Sequence, residues 1–306
     1  LIEGTPAEKM GIRVGDVLLK IDGTSFEDRA LEDISKSLQG KAGTKVSIDI
    51  RHAASQEVRN LTIERVNVTK KNVPYYGMLN DETGYIILTT FSQRAGANVQ
   101  RAFEELKNNN DLKHVILDLR DNGGGFLMEA VNICNVFLDK GQEIVYTKNK
   151  IPEWNRSFKT LNRPIDTDIP VVVLINGNSA SASEIVAGAL QDMDRALLIG
   201  NNSFGKGLVQ NTKDIGYSSK VKLTTAKYYI PSGRCVQALN YKNGIPVKVP
   251  DSLRQSFTTK KGKQVFDGKG VEPDFAIDSK PKSALLNALE KENLIFDFAN
   301  LYREKN

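Results

Sequence analysis

Apolar residues follow two rhythms along this 306-residue chain, alternation and helical spacing, and the order in which the two appear predicts its architecture. Before residue 66 the runs are short. Residues 4–12 read as a turn and a short helix, and 15–23 as a strand closed by an Asp-Gly turn. Leu31–Leu38 reads as a helix with Leu31, Ile34 and Leu38 on one face, and 43–50 as a half-buried strand. Residues 67–83 read as a linker that contains a strand around Pro74-Tyr75-Tyr76-Gly77. From residue 84 strands and helices alternate. Strands are predicted over 84–88, 114–119, 170–175 and 196–200, with helices over 96–106, 128–138 and 181–192. That alternation predicts a mixed α/β core with a largely parallel sheet. The unbroken run Val171-Val172-Val173-Leu174-Ile175 suits a parallel strand covered on both faces. Residues 217–235 alternate again. The segment 282–302, with Leu285, Leu286, Leu289 and Phe296 at helical spacing, is expected to cap the core. The predicted division is 1–66, 67–278 and 279–306.

Composition narrows the classes. With 40% apolar and 26% charged residues the chain is ordinary for a soluble globular protein. The net charge of +5 is spread thinly, with only short clusters such as Lys70-Lys71 and Lys260-Lys261-Gly262-Lys263. That pattern speaks against a nucleic-acid partner, which calls for a concentrated basic stripe. Two cysteines, Cys134 and Cys235, cannot build a CxxC metal site. Cys134 lies in an apolar run and reads as a small buried hydrophobe. No run is long enough to span a membrane. The chain opens at Leu1 in mid-motif, so a fragment is expected, and the absence of a leader says nothing about a longer protein.

The chemistry concentrates in three segments. Asn176-Gly177-Asn178-Ser179-Ala180-Ser181-Ala182-Ser183-Glu184 follows a predicted strand and opens a predicted helix, which sets Ser181 where amide groups favour developing negative charge. A plainer role is a helix cap, with Glu184 completing a capping box on Ser181. A serine nucleophile needs a base, and the chain has only two histidines, His52 and His114. A lysine can serve if its surroundings keep it neutral. Lys206, in Ser203-Phe204-Gly205-Lys206-Gly207-Leu208-Val209-Gln210, is the candidate, and Gln210 falls on the same side of an extended segment, where it could orient Lys206. The plain alternative is a surface loop lysine. Residues 200–206 also match GxxxxGK, but Gly207 stands where a phosphate-binding loop needs Ser or Thr, and no helix follows. The third segment, Leu117-Asp118-Leu119-Arg120-Asp121-Asn122-Gly123-Gly124-Gly125, ends a strand in a glycine turn whose amides could hold an oxyanion, or which is only a flexible turn.

The stretch GTPAEKMGIRVGDVLLKIDG resembles a PDZ domain, and in this sequence the carboxylate-binding loop of such a domain would precede Leu1. The ordered set LDLRDNGGG, NGNSASASEIVAGALQD, SFGKGLVQ and YYIPSGR resembles the C-terminal processing peptidases, tail-specific serine proteases, over essentially the whole chain. The resemblance implies a ClpP/crotonase-like layered core beside a truncated PDZ-like unit. It implies Ser181 as nucleophile, Lys206 as base, and Gln210 or Glu184 as third member. It further implies an oxyanion hole from the amides of Ala182 and Gly124, and no metal or organic cofactor. Implied partners are protein or peptide substrates held by their C-terminal tails, with homo-oligomerisation left open and a setting at the cell envelope or periplasm. The competing expectations are a catalytically silent peptide-binding scaffold of the same fold and a crotonase-like acyl-CoA enzyme. The latter leaves the Lys206–Gln210 segment and the PDZ-like unit unexplained.

Overall fold

In the computed structural model, which describes every residue except 3, 54, 69, 218, 278–282 and 306, the chain forms two units. The first holds α1 (Pro6–Lys9), β1 (Val17–Ile21), β2 (Thr24–Ser25), α2 (Leu31–Leu38), β3 (Lys45–Arg51) and β4 (Val58–Glu64). Its antiparallel sheet has the order β2-β1-β3-β4 and a small core of Ile21, Val46, Ile48 and Ile50. Alternation along β3 puts Val46, Ile48 and Ile50 inward, as its period of two predicts. Strand β4 escaped the sequence reading, because only Leu61 and Ile63 stand out as inward apolar positions among polar neighbours.

The second unit begins at Lys71. In chain order it contains β5 (Tyr75–Met78), β6 (Thr83–Ile87), α3 (Ala95–Asn109), β7 (His114–Asp118), α4 (Leu127–Phe137), β8 (Glu143–Asn149), β9 (Arg156–Lys159), β10 (Val171–Ile175), α5 (Ala182–Asp192), β11 (Ala196–Gly200), β12 (Leu208–Gly216) and β13 (Ser219–Tyr229). Two small hairpins follow, β14 (Leu239–Lys242) with β15 (Ile245–Lys248) and β16 (Ser256–Thr258) with β17 (Gln264–Phe266), and then β18 (Phe275–Ala276). The main sheet has the order β18-β11-β10-β7-β6-β5, parallel throughout except for the edge strand β5. Its core includes Ile86, Phe103, Leu117, Phe137, Val173 and Leu190. On β10 the unbroken apolar run misled in one respect. Val171, Val173 and Ile175 are buried, but Val172 and Leu174 are only half-buried, so the second face is covered less completely than the first.

A second, antiparallel sheet has the order β12-β13-β8-β9. Its strands β8 and β9, and both small hairpins, were not foreseen, because their apolar residues alternate too briefly among polar ones. The tail read as one helical stretch is two helices, α6 (Ala284–Lys291) and α7 (Leu294–Lys305), broken at Asn293 in a left-handed conformation of φ +55°. The expectation that this tail caps the α/β core is corrected. Arg303 Nη2 donates to Val14 O at 3.3 Å, and the two helices group with the first unit. The expected boundary at 278/279 lies outside the described residues.

Three neighbouring strands explain why distant motifs meet. Strands β11, β10 and β7 lie side by side and parallel, so their C-terminal ends share one edge of the sheet. The segments leaving those ends are the loop 201–207, the start of α5, and the glycine turn. Below the turn, Asp118 accepts from Tyr85 Oη at 2.5 Å and from Arg120 Nη2 at 2.6 Å, which anchors the end of β7.

Candidate active site

Ser181 directly precedes α5 in a conformation of φ +59° and ψ −112°. Non-glycine residues populate that region at a cost of about 1–3 kcal/mol, and such residues concentrate at active sites. The flanking serines hold it there. Ser179 Oγ donates to Leu119 O and Ser183 Oγ to Asn122 O, each at 2.8 Å, and Ala180 N donates to Asn122 O at 3.0 Å. Both flanking serines are fully buried, whereas half-buried Ser181 lines a cavity of about 430 Å³. The alternating small residues of this motif therefore divide the work: the outer serines tie the loop to the glycine turn, and the middle one faces open space.

Lys206 and Gln210 line the same cavity. Lys206 is half-buried, and among the described residues no carboxylate pairs with its ammonium group. Gln210 is exposed, beyond a bulge in β12 between Val209 and Gln210, and no hydrogen bond joins it to Lys206. Phe126, Leu127, Ile185 and Leu208 add an apolar wall. A second cavity of about 640 Å³ shares Lys206, Leu208 and Gln210 with the first.

Glu184 stands behind these groups, fully buried. Its Oε2 accepts the N–H of Ser181 and the N–H of Lys206, both at 2.8 Å. Its Oε1 accepts Ser203 Oγ at 2.6 Å and Gly205 N at 2.7 Å. Burial pushes the carboxyl above the usual carboxylate range, against the downward pull of these four donors. The capping-box role and the site role thus coincide: the carboxylate caps α5 and at the same time fastens the lysine segment to it. All four acceptor positions are taken by donors other than the lysine ammonium.

The glycine turn packs hard against the serine loop. A Cβ on Gly124, at φ +94°, would lie 2.6 Å from Ala180 O, 2.8 Å from Ser181 Cβ and 2.9 Å from Ala182 N. Only glycine permits that approach. Gly124, expected as an oxyanion donor, directs its N–H to Asn122 Oδ1 at 2.9 Å in this structure. Among the described residues no acceptor takes the N–H of Gly125 or of Ala182, and both residues line the cavity.

One residue of the site escaped sequence reading. Tyr228, at 2% exposure, points its hydroxyl at Ser181 O, 3.1 Å away, and at Lys206 O. It lies in the alternating stretch 217–235 and in the YYIPSGR motif, neither of which assigns it a role. The neighbouring motif residue Arg234 is structural, forming a buried ion pair with Asp192 at 2.8 Å and donating to Gln191 Oε1 at 2.7 Å.

Comparison with known proteins identifies the family of the chain. Residues 82–250 match the model of peptidase family S41, and residues 1–52 match a PDZ domain. The chain is 37% identical over 252 residues to a carboxy-terminal-processing protease of Bartonella bacilliformis, covering 81% of this chain and 57% of that protein. It is 36% identical over 244 residues to a chloroplastic C-terminal processing peptidase of Tetradesmus obliquus, covering 75% and 52%. The solved structure of a photosystem II D1 C-terminal processing protease aligns with TM-score 0.53 at 31% identity, covering 90% of this chain and 66% of that one. The chain thus spans a little over half the length of the curated relatives it matches.

Proposed function

The chain belongs to peptidase family S41 and carries a PDZ domain, and on that premise we propose that it is a serine endopeptidase working through a Ser181–Lys206 dyad. The observation that carries the proposal is that the two residues line one cavity and hang from one buried carboxylate, that of Glu184.

In the proposed reaction the neutral amine of Lys206 takes the Ser181 proton as Oγ attacks the scissile carbonyl. The amides of Ala182 and Gly125, which lie in the cavity wall with no acceptor among the described residues, receive the oxyanion. The protonated lysine then gives its proton to the leaving amine, and water releases the acyl group by the same route. Gln210 has an orienting role at most, since its side chain sits exposed and unbonded to Lys206. The apolar wall of Phe126, Leu127, Ile185 and Leu208 favours an apolar substrate side chain next to the cut. Recruitment of C-terminal tails by the PDZ domain, and a setting at the cell envelope, belong to the same proposal.

Ser181→Ala and Lys206→Ala should each lower turnover of an unfolded protein such as casein by at least about 1,000-fold with the thermal midpoint preserved. A fluorophosphonate should label Ser181 in the unaltered protein. Normal casein turnover by either variant would sink the dyad, and absence of both labelling and turnover in the unaltered protein would favour a silent scaffold.

A further inference from the structure

The same two side-chain atoms touch both members of the dyad. On one side, Glu184 Oε2 accepts the N–H groups of Ser181 and Lys206 at 2.8 Å each. On the other, Tyr228 Oη faces the carbonyl oxygens of those two residues, at 3.1 Å from Ser181 O and closer to Lys206 O. The main-chain N–H of Tyr228 adds a bond to Gly207 O at 2.9 Å, one residue past the lysine. Each member is therefore held by its own N–H and its own C=O, and each pair of groups shares a single partner atom. The two peptide units cannot slide apart or rotate without losing a bond on at least one side.

From this arrangement we infer that Tyr228 is a positioning residue of the Ser181–Lys206 reaction, its hydroxyl acting opposite the Glu184 carboxylate to set the separation of nucleophile and base. The inference rests on the dyad reading above and adds a residue to it. A phenol carries one proton, so the bond is shared between the two carbonyls, with Lys206 O the nearer. Burial, and then the charge of Glu184, push the Tyr228 hydroxyl well above its ordinary pKa, so it remains a donor across the working range. Core packing alone would be met by phenylalanine, since only the hydroxyl reaches the two carbonyls. Tyr229, next along the strand, makes the contrast: its ring stacks on Tyr146 with centroids 5.2 Å apart, outside the cavity.

Displacing a reacting group by about an ångström can lower a rate about 100-fold. Tyr228→Phe should accordingly lower kcat by about 10- to 100-fold while leaving KM within about a factor of two. The rate of fluorophosphonate labelling at Ser181 should fall in parallel, because it also depends on the base. Tyr229→Phe should change neither. The unaltered protein run alongside separates the two ideas: if it neither cleaves nor labels, the dyad reading fails first. If it does both, and Tyr228→Phe keeps kcat, the positioning role is overturned. A fall in labelling matched by a collapse of the thermal midpoint would mark the hydroxyl as merely structural and would equally overturn it. Should Tyr228→Phe not fold, 3-fluorotyrosine at position 228 changes the donor strength of the hydroxyl while keeping the phenol and adding little volume. The labelling rate must then change at an unchanged thermal midpoint, and an unchanged rate refutes the role.

Discussion

At the scale of single residues, Glu184 is where stability and activity pull apart. Its pKa in the folded protein lies above that of an ordinary carboxyl because it is buried. Acidification therefore protonates it sooner than an exposed glutamate, and a protonated oxygen can no longer accept all four donors. Activity should decline on the acid side at a pH above the ordinary carboxylate range. Stability linked to this group runs the other way: with the folded pKa raised, its contribution is fully present below the unfolded pKa and is lost as pH rises through the folded one. Glu184→Gln isolates the effect. The stability difference, unaltered minus variant, should grow in favour of the unaltered protein as pH falls from the raised folded pKa toward the ordinary carboxylate range, while its activity drops. Both quantities falling together would contradict this account. At any pH the amide should weaken the fold by about 1–3 kcal/mol, since its NH₂ group faces donors.

At the scale of elements, the end of β7 and the glycine turn show how local backbone demands shape the site. Gly124→Ala meets both a positive φ and backbone atoms of the serine loop. It should destabilise the protein by about 1–3 kcal/mol and reduce turnover to background, measured by denaturant unfolding and casein cleavage; a fully active, equally stable variant would show that the turn has room to move. Beneath it, burial pushes the Asp118 carboxyl up, but hydrogen bonds from Arg120 and Tyr85 outweigh burial and leave its pKa lowered. A lowered folded pKa contributes stability above the unfolded value, and that stability is lost as pH falls through the folded one. Tyr85→Phe should remove about 1 kcal/mol near neutral pH and less in acid. A loss of equal size at all pH values would contradict the assignment.

At the scale of the whole second unit, α5 is pinned at both ends. Glu184 holds its start to the lysine loop, and the Asp192–Arg234 pair holds its end to the turn after β13, with both side chains 1% exposed. Arg234→Ala would strand a buried aspartate and should cost about 3–5 kcal/mol in unfolding free energy. Removing both partners should cost less than removing Arg234 alone; the reverse order would show that the pair is not the source. The YYIPSGR motif is thereby explained by two separate contacts, Tyr228 at the head of α5 and Arg234 at its foot.

The α/β order, the largely parallel sheet and the positions of Ser181, Lys206 and the glycine turn were legible in the chain itself, because strand and helix periodicity and glycine-rich turns are local properties. The strands β8 and β9, the hairpins after β13, and the docking of α6 and α7 were not, because their short apolar alternations carry little signal and only packing selects their partners. The same divide runs through the site. The residue types proposed as nucleophile and base can be read in order. Which amide of the glycine turn stays unengaged, that Glu184 accepts four donors, and that Tyr228 reaches both carbonyls depend on atoms brought together from strands far apart in the chain. Hydrogen-bond partners across such distances are decided by the three-dimensional fold alone.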